Sequence, residues 1–412
     1  MRKKVLATTV AATAALLAVG SLGLAGTAKA DPTGSETYNA VGSDTTMDVI
    51  AALAGQTVTC NPPETVGSGT LTGVGSYEAL EQDASIGCTN STNITVGGIT
   101  MTRPNGSGNG VQALSASVDP SGGDWTVTNS DGSVSPVAIG GTLQFSRSSS
   151  GPSTSGTSGE DPLTYVPFAR DAVGYVYVAG SGLTSAESSA VASLSTANLT
   201  SIYEGGTSPV SGVTFEPYLP QSGSGTRNFF QGVIGVPNGS LGSDVNQNST
   251  NEENTANVIG DLSVPADTVA VYPFSISSYI AQNNGFTADT GIESVQLGNP
   301  DGDNPVSSGS GINLAPNTSF YATHWGRDVY DVFPTSDVTD FENGTPDSYT
   351  SLLDQFLITS ANPSPAITST ASNTIITDFG FLTESYDDTA GTSSNNVSTS
   401  PTAPYSFAEP AS

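Results

Sequence analysis

The residues of this chain that could do chemistry are small, polar and glycine-rich. Four segments stand out: "VGSDTT" at 41–46, "PNGSGNG" at 104–110, "FSRSSSG" at 145–151 and "SGSGTRN" at 222–228. Serine and threonine hydroxyls donate hydrogen bonds, and glycine lets a ligand approach the backbone closely. Arginine's planar fork holds an oxyanion through two parallel hydrogen bonds. Such a set suits the capture of an anion. Gly-Ser-Gly also recurs at 67, 180 and 309, so each turn alone says little.

Helices must position these turns. "GSDTTMDVIAALA", 42–54, reads as a turn entering a helix, capped by Ser43 or Asp44, with Met47, Ile50 and Leu53 on one face. "GSGNGVQAL", 106–114, and "GSGTRNFFQGVI", 223–234, read the same way, the latter with Phe229, Phe230 and Val233 as apolar positions. The first turn of a helix has unpaired N–H groups and partial positive charge, which attract a phosphate-like group. If the turns converge, neutral dipoles surround the anion and an arginine supplies countercharge.

"LSTANLTSIYEGG", 194–206, is a further short helix. "LTYVPFA", "VGYVYVAG" and "DTVAVYPFS" are strand-like. Strands alternating with short helices predict an α/β architecture with parallel strands. Residues 120–135 and 236–256 read as Gly/Asn/Ser-rich loops. Residues 385–412 read as a disordered Ser/Thr-rich tail.

Bulk properties narrow the function. Residues 1–30, with "MRKK", an apolar run and "AKA", read as a secretory signal peptide cleaved after Ala30. The mature chain then has 5 basic residues, all arginine, against 38 acidic ones. Binding to nucleic acid or to an acidic membrane surface is disfavoured. No later run is apolar enough to span a membrane. Cys60 and Cys88 are expected to form a disulfide after export. Two cysteines and one histidine, His324, cannot build a Cys/His zinc site, and no metal or cofactor is expected. "NPDGDNP", 299–305, would hold calcium only weakly, because it lacks the twelfth-position glutamate of an EF-hand loop. His324 is the only histidine open to a hydrolase, and no G-x-S-x-G elbow is present, so no enzyme activity is expected.

The ordered segments "VGSDTTMDVI", "RPNGSGNGVQAL", "QFSRSSSGP", "YVPFARDAVGYVYV", "LSTANLTSIYEGG", "PQSGSGTRNFF", "YPFSISSYIAQ" and "RDVYDVFPT" resemble the phosphate-binding proteins of ABC transporters, within the type 2 periplasmic binding proteins. They cover about residues 39–340. The resemblance implies a two-lobed α/β fold with two crossover strands closing over a bound anion. Residues 31–169 and 272–384 would form the first lobe and 170–271 the second. The crossovers would lie in "YVPFARDAVGY" and "AVYPFSISSY". Carried over, the binding loops fall on Asp44 and Thr45, on Ser107 and Gly108, on Arg147, Ser148 and Ser149, and on Ser224, Gly225 and Thr226. The family's arginine before that last loop is replaced by Pro220, so Arg147 or Arg227 is expected to supply charge. The family's proton-accepting aspartate gives way to the serine run, with Asp44 as a substitute. The implied role is capture of inorganic phosphate or a related oxyanion, with an ABC permease as partner and the binding protein a monomer. A secreted surface or adhesive protein on the same fold, with a degenerate cleft, is the competing expectation.

Overall fold

A computed structural model of the protein describes residues 36–56, 69–77, 80–83, 87–90, 92–119, 123–152, 162–287, 290–309, 313–358, 362–383 and 405–408. The signal segment, Cys60 and most of the tail lie outside the described residues, as does the expected disulfide.

The elements that frame the molecule are β1 (Tyr38–Gly42), α1 (Met47–Leu53), β2 (Val74–Ser76), α2 (Gly106–Val118), β3 (Phe145–Ser148), β4 (Pro162–Ala179), α3 (Thr196–Tyr203), β5 (Thr214–Pro217), α4 (Gly225–Ile234), β6 (Thr268–Ser275), α5 (Ile276–Asn284) and β7 (Gly326–Pro334). The strands form one mixed α/β sheet in the order β5-β6-β4-β7-β3-β1-β2. β1 is parallel to β2 and β3, and β5 is parallel to β6, while β7 runs antiparallel to β3 and β4. Backbone strand Tyr405–Ala408 pairs antiparallel with Pro162–Tyr165.

β4 joins two lobes. Its first half, to Ala172, pairs with β7; its second half, from Val173, pairs with β6. The apolar faces follow the strand's period of two. Leu163 and Tyr165 enter one first-lobe core and Val166 and Phe168 the other. Further along, Tyr175 and Tyr177 enter one second-lobe core and Val176 its opposite face. β6 is buried throughout, with Val269 and Val271 on one face and Ala270, Tyr272 and Phe274 on the other. Helices cover both faces of this sheet, which is why these strands read as nearly continuous apolar runs.

Within β4 the pairing passes from β7 to β6 at Ala172–Val173. The expected return in "AVYPFSISSY" falls on β6, which pairs with the second half of β4, and it is β7 that pairs with the first half. Ile292, Val295, Phe320, Tyr321 and Trp325 pack into second-lobe cores, so that lobe extends beyond residue 271 to the start of β7. The expected loop over 120–135 also differs. Asp124–Thr128 and Val134–Ala138 form an antiparallel hairpin. The alternation of Trp125 and Val127 is a strand signal that the surrounding glycines and serines mask.

Among the described residues, no helix is long and apolar enough to cross a membrane.

Candidate functional site

The site lies where the lobes meet, at the ends of β1, α2 and α4 and at the start of β7. β1 ends at Gly42, whose φ is +120°. A Cβ there would stand 2.4 Å from the Arg147 carbonyl oxygen, so only glycine lets β1 turn this close to β3. The turn presents Ser43, Asp44 and Thr45. Asp44–Thr46 form a 3-10 turn, and α1 starts only at Met47. Neither Ser43 nor Asp44 caps the helix by its side chain. The Ser43 hydroxyl points to Glu253 instead.

From the other lobe, Ser224 caps α4 by accepting from Arg227 N at 3.0 Å. Gly225 is packed so tightly that a Cβ would lie 2.4 Å from Ser149 Oγ and 2.6 Å from Ser107 Oγ. Gly108 N donates to Gly223 O at 3.1 Å, and Ser149 N donates to Ser107 Oγ at 2.9 Å. The Gly/Ser turns at 42–46, 106–108 and 223–226 and the serine run therefore meet.

What they surround is a side chain of the protein. Glu253 is fully buried. Its Oε1 accepts from Thr45 N and Thr45 Oγ1, both at 3.3 Å, and from Ser43 Oγ at 3.4 Å. Its Oε2 accepts from Thr226 N at 3.3 Å and from Ser224 Oγ. One carboxylate oxygen is held by the first lobe and the other by the second. The loop carrying it belongs to the second lobe: Asn251 bonds to Leu219 and Gln221, and Tyr272 Oη donates to Glu252 O.

The cation beside these donors is Arg327, at the start of β7. Its Nη2 donates to Thr226 Oγ1 at 3.0 Å and to Thr45 Oγ1 at 3.3 Å. Asp171 on β4 faces it across the strand pair, with Oδ2 2.8 Å from Nη2 and 3.1 Å from Nε. Ser275 Oγ and Ser277 N hold that carboxylate in turn. The Arg327 guanidinium lies 5.7 Å from the centre of the Phe229 ring, and its buried Nη1 has no hydrogen-bond partner among the described residues.

The arginines expected to face the anion do not. Arg147 is 1% exposed and donates to Ala40 O, Tyr77 O, Ser43 O and Ser76 Oγ. It ties strands together. Arg227 turns back into the second lobe, donating to Pro220 O, Asn238, Gln247 and Gln231. Ser148 bonds locally to Ser150 O. Asp44 turns to Arg103, at 3.4 Å, and Arg103 also pairs with Glu252 at 3.0 Å. Burial raises the carboxyl groups of both Asp44 and Glu252, and Arg103 opposes it.

A cavity beside the site is lined by Asp44, Asp48, Glu252, Gln282 and Thr287 among others. Among the described residues, no group of three or more His, Cys, Asp or Glu side chains is placed to hold a metal. Asp301 of the weak calcium candidate spends its carboxylate on Thr196 and Trp325. His324 is exposed, and Asp301 and Thr196 approach the same ring nitrogen, at 3.5 and 3.2 Å. A proton relay needs its two partners on opposite ring nitrogens.

Asp48, in the first turn of α1, accepts from Thr287 Oγ1. Burial pushes its carboxyl from 3.8 up to about 6, against the pull of Thr287 and Arg147. A raised folded-state value favours folding while the group is protonated in both states. The penalty grows as pH rises from 3.8 to about 6 and is complete above that. The side chain is partly exposed. Solvent screening then leaves roughly 1–2 kcal/mol of penalty. Asp48→Asn should match the parent in urea unfolding near pH 4 and exceed it by about that amount at pH 7. A difference that does not change with pH would contradict this.

No protein-family model matches the chain. No curated protein matches it. Solved structures similar to it include an ABC-type phosphate transport receptor from Vibrio cholerae, 14% identical, with 59% of this chain and 81% of that chain covered and a TM-score of 0.35. Another is a possible phosphate binding protein from Planctomyces limnophilus DSM 3776, 12% identical, with 84% of this chain and 92% of that chain covered and a TM-score of 0.36.

Proposed function

We propose that this chain is an exported, non-enzymatic binding protein that takes a small oxyanion, phosphate first, in the cleft between its lobes. The observation that carries the reading is the convergence on one carboxylate of five donors, three from the first lobe and two from the second. Hydroxyls and N–H groups fixed in this way select negative oxygen whatever the net charge of the surface. Surface charges are screened over about 8 Å at physiological salt, whereas the donors touch the ligand. Arg327, whose Nη1 has no partner among the described residues, supplies a cation already oriented by Asp171. Two lobes joined by β4 and β7 suit closure around such a ligand. Handover to an ABC permease after capture completes the reading, with the binding protein a monomer.

Calorimetric titration of the mature protein with phosphate, with sulfate as competitor, tests this. Saturable heat that sulfate leaves unchanged supports a phosphate receptor. Displacement by sulfate widens the ligand to tetrahedral oxyanions. The second reading is a surface or adhesive protein whose cleft no longer takes a ligand, and the occupied donor set favours it. Absence both of heat and of any shift in thermal unfolding, with either anion, in the mature protein and also after Glu253→Ala clears the donors, would select that reading over the first.

A further inference from the structure

We propose that Glu253 is a tethered competitor: its carboxylate fills the oxyanion site and clasps the lobes together until an external oxyanion displaces it. This inference rests on the oxyanion-binding reading above. A carboxylate and a phosphate oxygen ask for the same donors, and two anions cannot share them without strong repulsion at contact distance. The two oxygens of Glu253 divide between the lobes, Oε1 to Ser43 and Thr45 and Oε2 to Ser224 and Thr226. Glu253 therefore holds the cleft as a ligand would hold it. Its neighbour Glu252 reaches the first lobe as well, through Arg103 and Asn105 at 3.0 Å each. The loop backbone is anchored to the second lobe through Asn251 and Asn254, so the Glu253 carboxylate is a tethered group whichever donors it occupies.

A tethered group acts at an effective concentration in the millimolar range or above. If the internal carboxylate occupies the site nine-tenths of the time or more, external affinity falls about tenfold or more. Glu253 thus sets the concentration at which the protein responds, and it turns away anions that bind these donors no better than a carboxylate does.

The test uses the full mature chain and its Glu253→Gln and Glu253→Ala variants. Phosphate affinity is measured by calorimetry and thermal unfolding is followed with and without acetate. Gln keeps the size but replaces one acceptor oxygen by a donor, so it cannot hold both lobes. The expected result is phosphate binding at least tenfold tighter in both variants. Acetate should also raise the unfolding temperature of Glu253→Ala alone, by refilling the vacated site. Phosphate affinity that is unchanged or weaker in a folded variant would overturn the competitor while leaving the binding function intact. Absence of phosphate and sulfate binding in parent and variants alike would overturn both. Acetate stabilisation of parent and Glu253→Ala to the same extent would also defeat the proposal, because the carboxylate would then act elsewhere.

Discussion

Arg327→Ala lowers oxyanion affinity by about a hundredfold or more, the largest loss expected from any single change in the cleft. Arg327 is the cation that bridges the two threonines of the site, Thr45 and Thr226. Removing one member of a desolvated charge contact typically costs about 2–5 kcal/mol, or roughly 30- to several-thousandfold in binding. Asp171 would then keep its hydrogen bonds to Ser275 and Ser277 but be left buried without its cation, which also threatens the fold. Arg327→Lys separates the two effects. It keeps the charge for Asp171 but loses the fork, so stability should hold while affinity falls by an intermediate factor. Calorimetry and thermal unfolding on both variants check this. Affinity that survives in a folded Arg327→Ala protein would place the countercharge elsewhere.

The glycines and serines could be read from the sequence because local chemistry dictates them. Gly42 must adopt positive φ, and Gly225 must leave room for Ser107 and Ser149, so both turns carry small residues. Residues joined only by the fold left no comparable trace. Glu253 lies 208 positions from Thr45 in an Asn-rich loop, and an acidic residue is the last type expected among anion donors. Arg327 follows no Gly/Ser run of the kind that drew attention to other arginines. Its importance comes from β7 pairing with β4, which sets it opposite Asp171 at the junction. The position of the return is a matter of packing too. Ile292, Val295, Phe320, Tyr321 and Trp325 lie in or beside short elements, and it is their packing into the cores around β4 and β6 that assigns them to the second lobe.

Arg147 was legible in principle. It sits two residues after Phe145 on β3, so strand periodicity puts both on one face, and Phe145 is core. An arginine there must satisfy its donors inside the protein. It does so on the Ala40, Tyr77 and Ser43 carbonyls and on Ser76 Oγ, linking β3 to β1 and β2. Buried Asp331, paired with it in register on β7, depends on its charge as well: burial raises that carboxyl strongly and Arg147 opposes the rise. Arg147→Ala therefore strands several buried carbonyls and an acid at once. The expected cost is about 3–5 kcal/mol. That corresponds to a fall of roughly 10 °C in unfolding temperature for a lobe of this size. Because Arg147 supports the Ser43 turn without facing the donors, affinity in the protein that remains folded should drop by less than about tenfold. Arg147→Met, which refills the volume, should recover part of the stability. A variant with unchanged unfolding temperature and a hundredfold loss of phosphate affinity would make Arg147 the site's cation and reverse the roles assigned here to it and to Arg327.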